Sequence, residues 1–164
     1  MVGNKGLDGF VNCRYVGVDT SNLLPNAEGI EFLNCDAAEF GASLADRPSV
    51  IVSMFFLQFL GRSERHRMME VLSGHIAAGA TLLISEKVIL DNPRLESWIA
   101  RLHLAEKRVN FSDAEILDKD RELIDCMYPL LESELLRELN GLGSVTKVWQ
   151  SYSFCGYVVS PRAA

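Results

Sequence analysis

The spacing of apolar and polar positions changes period several times along the chain, and each change marks an element. The densest apolar run is Pro48 to Leu60, PSVIVSMFFLQFL. Its nearly uninterrupted β-branched first half predicts a strand over Ser49–Ser53, buried on both faces as in a parallel sheet covered by helices. Cys13–Asp19, Ile30–Cys35 and Ala80–Ile84 read as further strands. Between Ser49–Ser53 and Ala80–Ile84 the period lengthens: Met68, Met69, Leu72 and Ile76 form a helical stripe, with Ser63 as the expected N-cap and Gly79 as the stop. A strand, helix and strand of this length make a right-handed crossover, so the two strands are parallel.

A short helix is expected over Ala37–Leu44. A longer one spans Asp91–Ala105, with Pro93 in its first turn, Leu95, Trp98, Ile99 and Leu102 on one face, and a break at Glu106–Asn110. Ser112–Met127 opens with a capping box, Ser112 with Glu115, and Pro129–Leu139 stops at Asn140-Gly141. Val145–Gln150 and Tyr152–Val159 are joined too closely for a helical crossover, so at least one is antiparallel. The fold class is α/β, with a mostly parallel sheet and an antiparallel C-terminal hairpin. Residues 1–12 read as a flexible lead-in, 13–164 as one domain, and Ser21–Gly29 as a linker with at most one short turn.

The 164 residues are enough to bury a sizeable core without staples. A formal charge of −6 argues against a broad nucleic-acid footprint, and neither a basic stripe nor interleaved surface aromatics appear. No apolar run approaches the length of a membrane helix, and no secretory leader is visible, which points to a cytoplasmic protein. Cys13, Cys35, Cys126 and Cys155 lie far apart in mostly apolar segments, as buried reduced thiols would. They and the three histidines show no metal-ligand spacing, so no metal is expected.

In open α/β sheets ligands sit outside the carboxyl ends of the strands, which directs attention to Met54–Gln58, Asp19 and Asp36. An acid closing a strand there can hold ribose hydroxyls. The plainer alternatives are that Met54, Phe55 and Phe56 belong to the core, and that Asp19 and Thr20 cap a turn. The glycines at 3, 6 and 9 follow no strand and do not make a phosphate loop.

Several short stretches, in order, resemble one family: Leu57-Gln58-Phe59-Leu60 with Ser63-Glu64-Arg65, Ser85-Glu86-Lys87, Lys107-Arg108 with Asn110, and Gln150 followed by Phe154. From about Cys13 onward the chain is similar to class I S-adenosylmethionine-dependent methyltransferases, and within them to the carboxy-S-adenosyl-L-methionine synthases that serve wobble-uridine modification of tRNA. The resemblance implies a three-layer Rossmann-like sandwich that starts at about the second strand, N-terminally truncated and without the glycine-rich turn. It implies S-adenosyl-L-methionine or carboxy-S-adenosyl-L-methionine as cofactor, held by Asp19 and Thr20 at the ribose, Asp36 and Ala37 at the adenine, and Met54 and Phe55 at the central strand end. Met54 stands where the synthases have asparagine, and Phe56 where they have threonine. Asp120 falls on the synthases' carboxylate-binding arginine, flanked by Lys119 and Arg121 as candidates for that role.

Two functions follow. One is an S-adenosylmethionine-binding transferase acting on a small-molecule substrate, with no catalytic base assigned. The other is a degenerate, catalytically inactive relative serving as a binding or assembly subunit. A homodimer, or a partner completing the sheet, is expected with either.

Overall fold

The computed structural model describes residues 13–21 and 28–162. The lead-in of residues 1–12 and most of the expected linker therefore lie outside the described residues. The chain divides into two compact units, the first ending at Leu44 and the second beginning at Ala45.

The first unit contains two parallel strands, β1 (Tyr15–Asp19) and β2 (Ile30–Asn34), followed by helix α1 (Ala37–Ser43). Their register runs from Tyr15 opposite Ile30 to Asp19 opposite Asn34, so both carboxyl ends finish level. Gly17 is required by packing, because a Cβ there would stand 2.6 Å from the Phe32 ring. Asp36 caps α1, its Oδ1 accepting the Glu39 N–H at 2.8 Å.

The second unit is built on a five-stranded mixed sheet. Strand β3 (Val50–Met54) leads through a 3-10 turn (Leu57–Phe59) and helix α2 (Arg62–Ala77) to β4 (Thr81–Ile89), which lies parallel to it. Helices α3 (Pro93–Asn110) and α4 (Asp113–Ile124) follow. The short strand β5 (Leu130–Leu131) pairs with the end of β4 and runs into helix α5 (Glu132–Leu142). The hairpin β6 (Ser144–Ser151) and β7 (Phe154–Ser160) completes the order β3-β4-β7-β6, with β7 antiparallel to both neighbours.

Period-two alternation aims Leu82, Ile84 and Val88 of β4, with Cys155, Tyr157 and Val159 of β7, into one core. Leu72 and Ile76 of α2 and Leu135 and Leu139 of α5 meet them there. Each such buried side chain contributes about 1.5–3 kcal/mol of transfer free energy. Met68 and Met69 pack at the margin of this cluster, as their helical stripe predicts.

Several sequence expectations are corrected. β3 is not buried on both faces: Val50, Val52 and Met54 are 52%, 62% and 54% exposed, and β3 is the last strand of its sheet among the described residues. Met54 and Phe55 are likewise exposed rather than core. Helix α3 runs through the expected break to Asn110, and of its apolar set only Ile99 joins the core. Gly61, not Ser63, stands at the start of α2. Among the cysteines only Cys155 is buried; Cys13 and Cys126 are exposed, and all four are free thiols.

Candidate functional site

The end of β3 is held by a buried carboxylate. Strand β4 places Glu86 on the helix-facing side, where it is 2% exposed. Its Oε1 accepts the backbone N–H groups of Phe56 at 3.2 Å and Leu57 at 2.9 Å, and its Oε2 accepts that of Gln58 at 2.9 Å. These are the donors that open the 3-10 turn and would otherwise lack partners. Burial pushes the Glu86 carboxyl above the usual range, while the N–H groups of Leu57, Gln58 and Phe56 and the charge of Arg65 pull it back. Arg65 donates from Nη1 to the Leu57 carbonyl at 3.0 Å and pairs with Glu138 of α5 at 2.8 Å. Gln58 adds a second tie, its Oε1 accepting the Lys87 N–H at 2.7 Å and its carbonyl the Tyr128 N–H at 2.6 Å.

This anchoring has a local consequence. Phe55 adopts φ 54, a left-handed conformation that is costly for a bulky side chain and persists only where its surroundings impose it. Its N–H donates to the Ser85 carbonyl at 2.7 Å, so the turn begins one residue past the last pair of the β3–β4 ladder. The ring then meets Phe154 edge-on at 5.4 Å between centroids. Phe154 meets His103 of α3 at 5.9 Å, and His103 stacks on Tyr152 at 4.8 Å. Burial, with the charges of Lys107 and Lys87, holds the His103 imidazole below its ordinary value.

Beside this aromatic chain, on the sheet face away from α2 and α5, lies a recess of about 430 Å³. Met54, Phe55, Leu83, Trp149 and Gly156 are among its lining residues. Gly156 makes the room: a Cβ there would stand 3.1 Å from Ser85 Oγ and 3.3 Å from Trp149 Cβ. The recess is wide open and its lining is apolar.

The first unit brings its two acids to one end of one sheet. Asp19 closes β1, and Asp36 follows the end of β2 by two residues. Asp19 Oδ1 accepts the Ser21 N–H at 2.7 Å, and the Thr20 carbonyl accepts from Asn34 Nδ2 at 3.3 Å. Both acids thus take up turn and cap roles through their side chains. Ala37 is the first residue of α1. On α4, Lys119 pairs with Glu122 at 2.9 Å and Arg121 with Asp118 at 3.0 Å, both on the exposed surface, while Asp120 lies 3.5 Å from Lys107. Sequence reasoning did not find His103, Tyr152 or the role of Glu86. The one available signal was an acidic residue inside a strand otherwise buried, which implies donors waiting for it.

A strand–helix–strand crossover, a carboxyl-end turn and a terminal antiparallel hairpin make a Rossmann-like arrangement, and in fold the chain is similar to solved methyltransferases. Human N-acetylserotonin methyltransferase, solved in complex with SAM, matches 92% of the chain at a TM-score of 0.56 and 12% identity, with 41% of its own length covered. An O-methyltransferase family protein from Burkholderia thailandensis matches 82% at a TM-score of 0.51 and 12% identity, with 36% covered.

In sequence the chain is similar to carboxy-S-adenosyl-L-methionine synthases. That of Pseudoalteromonas translucida is 31% identical over 158 residues, 90% of this chain and 66% of the relative. That of Aliivibrio fischeri strain MJ11 is 30% identical over 156 residues, 87% of this chain and 63% of the relative. The chain thus spans just under two thirds of the length of these curated relatives. No family model matches it.

Proposed function

We propose that the protein is an S-adenosylmethionine-binding transferase whose acceptor is a small molecule, most like a carboxy-S-adenosyl-L-methionine synthase or a small-molecule methyltransferase. The observation that supports this reading most directly is the similarity to those synthases across about nine tenths of the chain, 90% in one case. In this reading Asp19 and Thr20 hold the ribose, Asp36 and Ala37 the adenine, and Met54 and Phe55 are further cofactor-binding residues, with S-adenosyl-L-methionine or its carboxylated form as cofactor. The chemistry is largely positioning: the donor carbon and the acceptor are held in line, and proximity lowers the barrier. Lys119 and Arg121 are candidates for a carboxylate, reached by exchanging their present surface partners. The setting is cytoplasmic, in tRNA modification, and the working form is a homodimer.

A second reading, an inactive binding or assembly subunit, is favoured by one observation. Val50 and Val52 of β3, the last strand of its sheet among the described residues, are exposed, as a surface that meets a partner would be.

Calorimetric titration with S-adenosyl-L-homocysteine separates the two. The transferase reading expects saturable binding at one site per chain, weakened at least about tenfold, or about 1.4 kcal/mol, in Asp19→Ala and Asp36→Ala. Absence of binding to a folded chain overturns it in favour of the second.

A further inference from the structure

Helix α3 carries two faces that meet different fates. Ile99, His103 and Lys107 turn inward: Ile99 packs on the core, and His103 stacks on the hairpin turn. A second apolar stripe, Leu95, Trp98, Leu102, Ala105 and Val109, is spaced 3, 4, 3 and 4 residues apart. At about 100° per residue it is centred roughly a third of a turn from the inward face. Leu95, Trp98, Leu102 and Val109 are 49%, 68%, 54% and 77% exposed, and no residue of α3 is buried. A lone exposed leucine needs no explanation, but a continuous stripe with an open tryptophan marks an interaction surface.

The spacing identifies what fits it. An alternation of three and four is the a/d pattern of a coiled coil, whose knobs need the holes of another helix. With Leu95, Leu102 and Val109 at a, the residues Arg94, Arg101 and Arg108 fall at g, and Ile99 and Glu106 at e. Parallel helices set each g residue against the e residue of the next heptad on the partner, so Arg101 meets Glu106 of a second copy, twice by symmetry. Antiparallel pairing would instead bring Arg101 against its own counterpart. Arg108 is already held by Asp113 at 2.7 Å, whereas Arg101 has no ion pair among the described residues. Glu106 is exposed at the margin of the stripe.

We propose that α3 is the seam of a parallel two-helix coiled coil between two copies of this chain, with Leu95, Trp98, Leu102 and Val109 as its knobs and Arg101–Glu106 as its reciprocal ion pair. The inference rests on the homodimer reading and names its surface. The seam is only two heptads, about 21 Å, so the dimer dissociates in the micromolar range.

Sedimentation velocity of the full chain across micromolar concentrations tests it, with circular dichroism confirming that each variant folds. The expected result is a concentration-dependent dimer that Leu102→Arg and Trp98→Glu each weaken at least about tenfold. Arg101→Glu and Glu106→Arg should each weaken it alone, and an equimolar mixture of the two should recover dimer, since both cross-pairs are then restored. A monomer at every concentration overturns the homodimer reading together with this surface. A dimer indifferent to Leu102→Arg and Trp98→Glu leaves that reading standing and overturns the seam. A mixture that recovers nothing overturns the parallel pairing.

Discussion

Glu86 illustrates how one side chain carries several consequences. Its three backbone donors lie on successive residues and use both carboxyl oxygens, so a carboxamide, with one acceptor oxygen and one N–H donor group, cannot accept all three. Glu86→Gln leaves at least one buried N–H facing an amide N–H, and the expected loss is about 1–3 kcal/mol in urea unfolding. The pH dependence has a definite sign. Because burial raises the folded carboxyl above its ordinary 4.5, the folded chain binds more protons than the unfolded one between 4.5 and the raised value. The contribution of Glu86 is fully present below that window, and the unfolding free energy falls as pH rises through it. Glu86→Gln should remove this part of the slope; a slope unchanged in the variant would show that another group supplies it.

At the same scale, Asp19 and Asp36 were recognisable because strand ends and acids are both visible in sequence. Their hydrogen bonds to Ser21 and Glu39 were not, since these depend on where the chain turns after each strand. His103 escaped notice because its partners, Tyr152 and Phe154, come from a hairpin some fifty residues on; such contacts leave no periodic trace.

Among elements, the strands and helices of the second unit follow their apolar period closely. Met68 to Ile76 lies within α2, and the capping box of Ser112 and Glu115 opens α4, Ser112 Oγ accepting the Glu115 N–H at 3.3 Å. β3 and α3 show the limit of that logic. An unbroken β-branched run means two covered faces only if the sheet continues past it, and an apolar stripe on a helix does not say which body it will meet. Glycines test the element packing directly. A Cβ on Gly143 would stand 2.3 Å from the Ser160 carbonyl oxygen, between the start of β6 and the end of β7, whereas one on Gly74 of α2 meets nothing within 4 Å. Gly143→Ala should therefore cost at least about 1–3 kcal/mol. Gly74→Ala should stabilise by about 0.5–1 kcal/mol through helix propensity. Thermal unfolding of the pair checks both, and equal melting temperatures would contradict the packing described for the hairpin.

For the molecule as a whole, the fold class was readable from sequence because strand, helix and strand recur with parallel-sheet character and end in a hairpin. The aromatic chain from Phe55 to Tyr152 was not, because it joins three separate elements. The apolar lining of Met54, Phe55, Leu83 and Trp149 gives the recess shape without fixing its occupant, so function turns on whether the cofactor binds. Native mass spectrometry of the purified chain, incubated with excess S-adenosyl-L-methionine, reads this most directly. The account expects the protein to fly with one S-adenosyl-L-methionine or carboxy-S-adenosyl-L-methionine per chain, and Asp19→Ala to lose it. A folded wild-type chain that stays bare in excess cofactor would contradict the transferase reading.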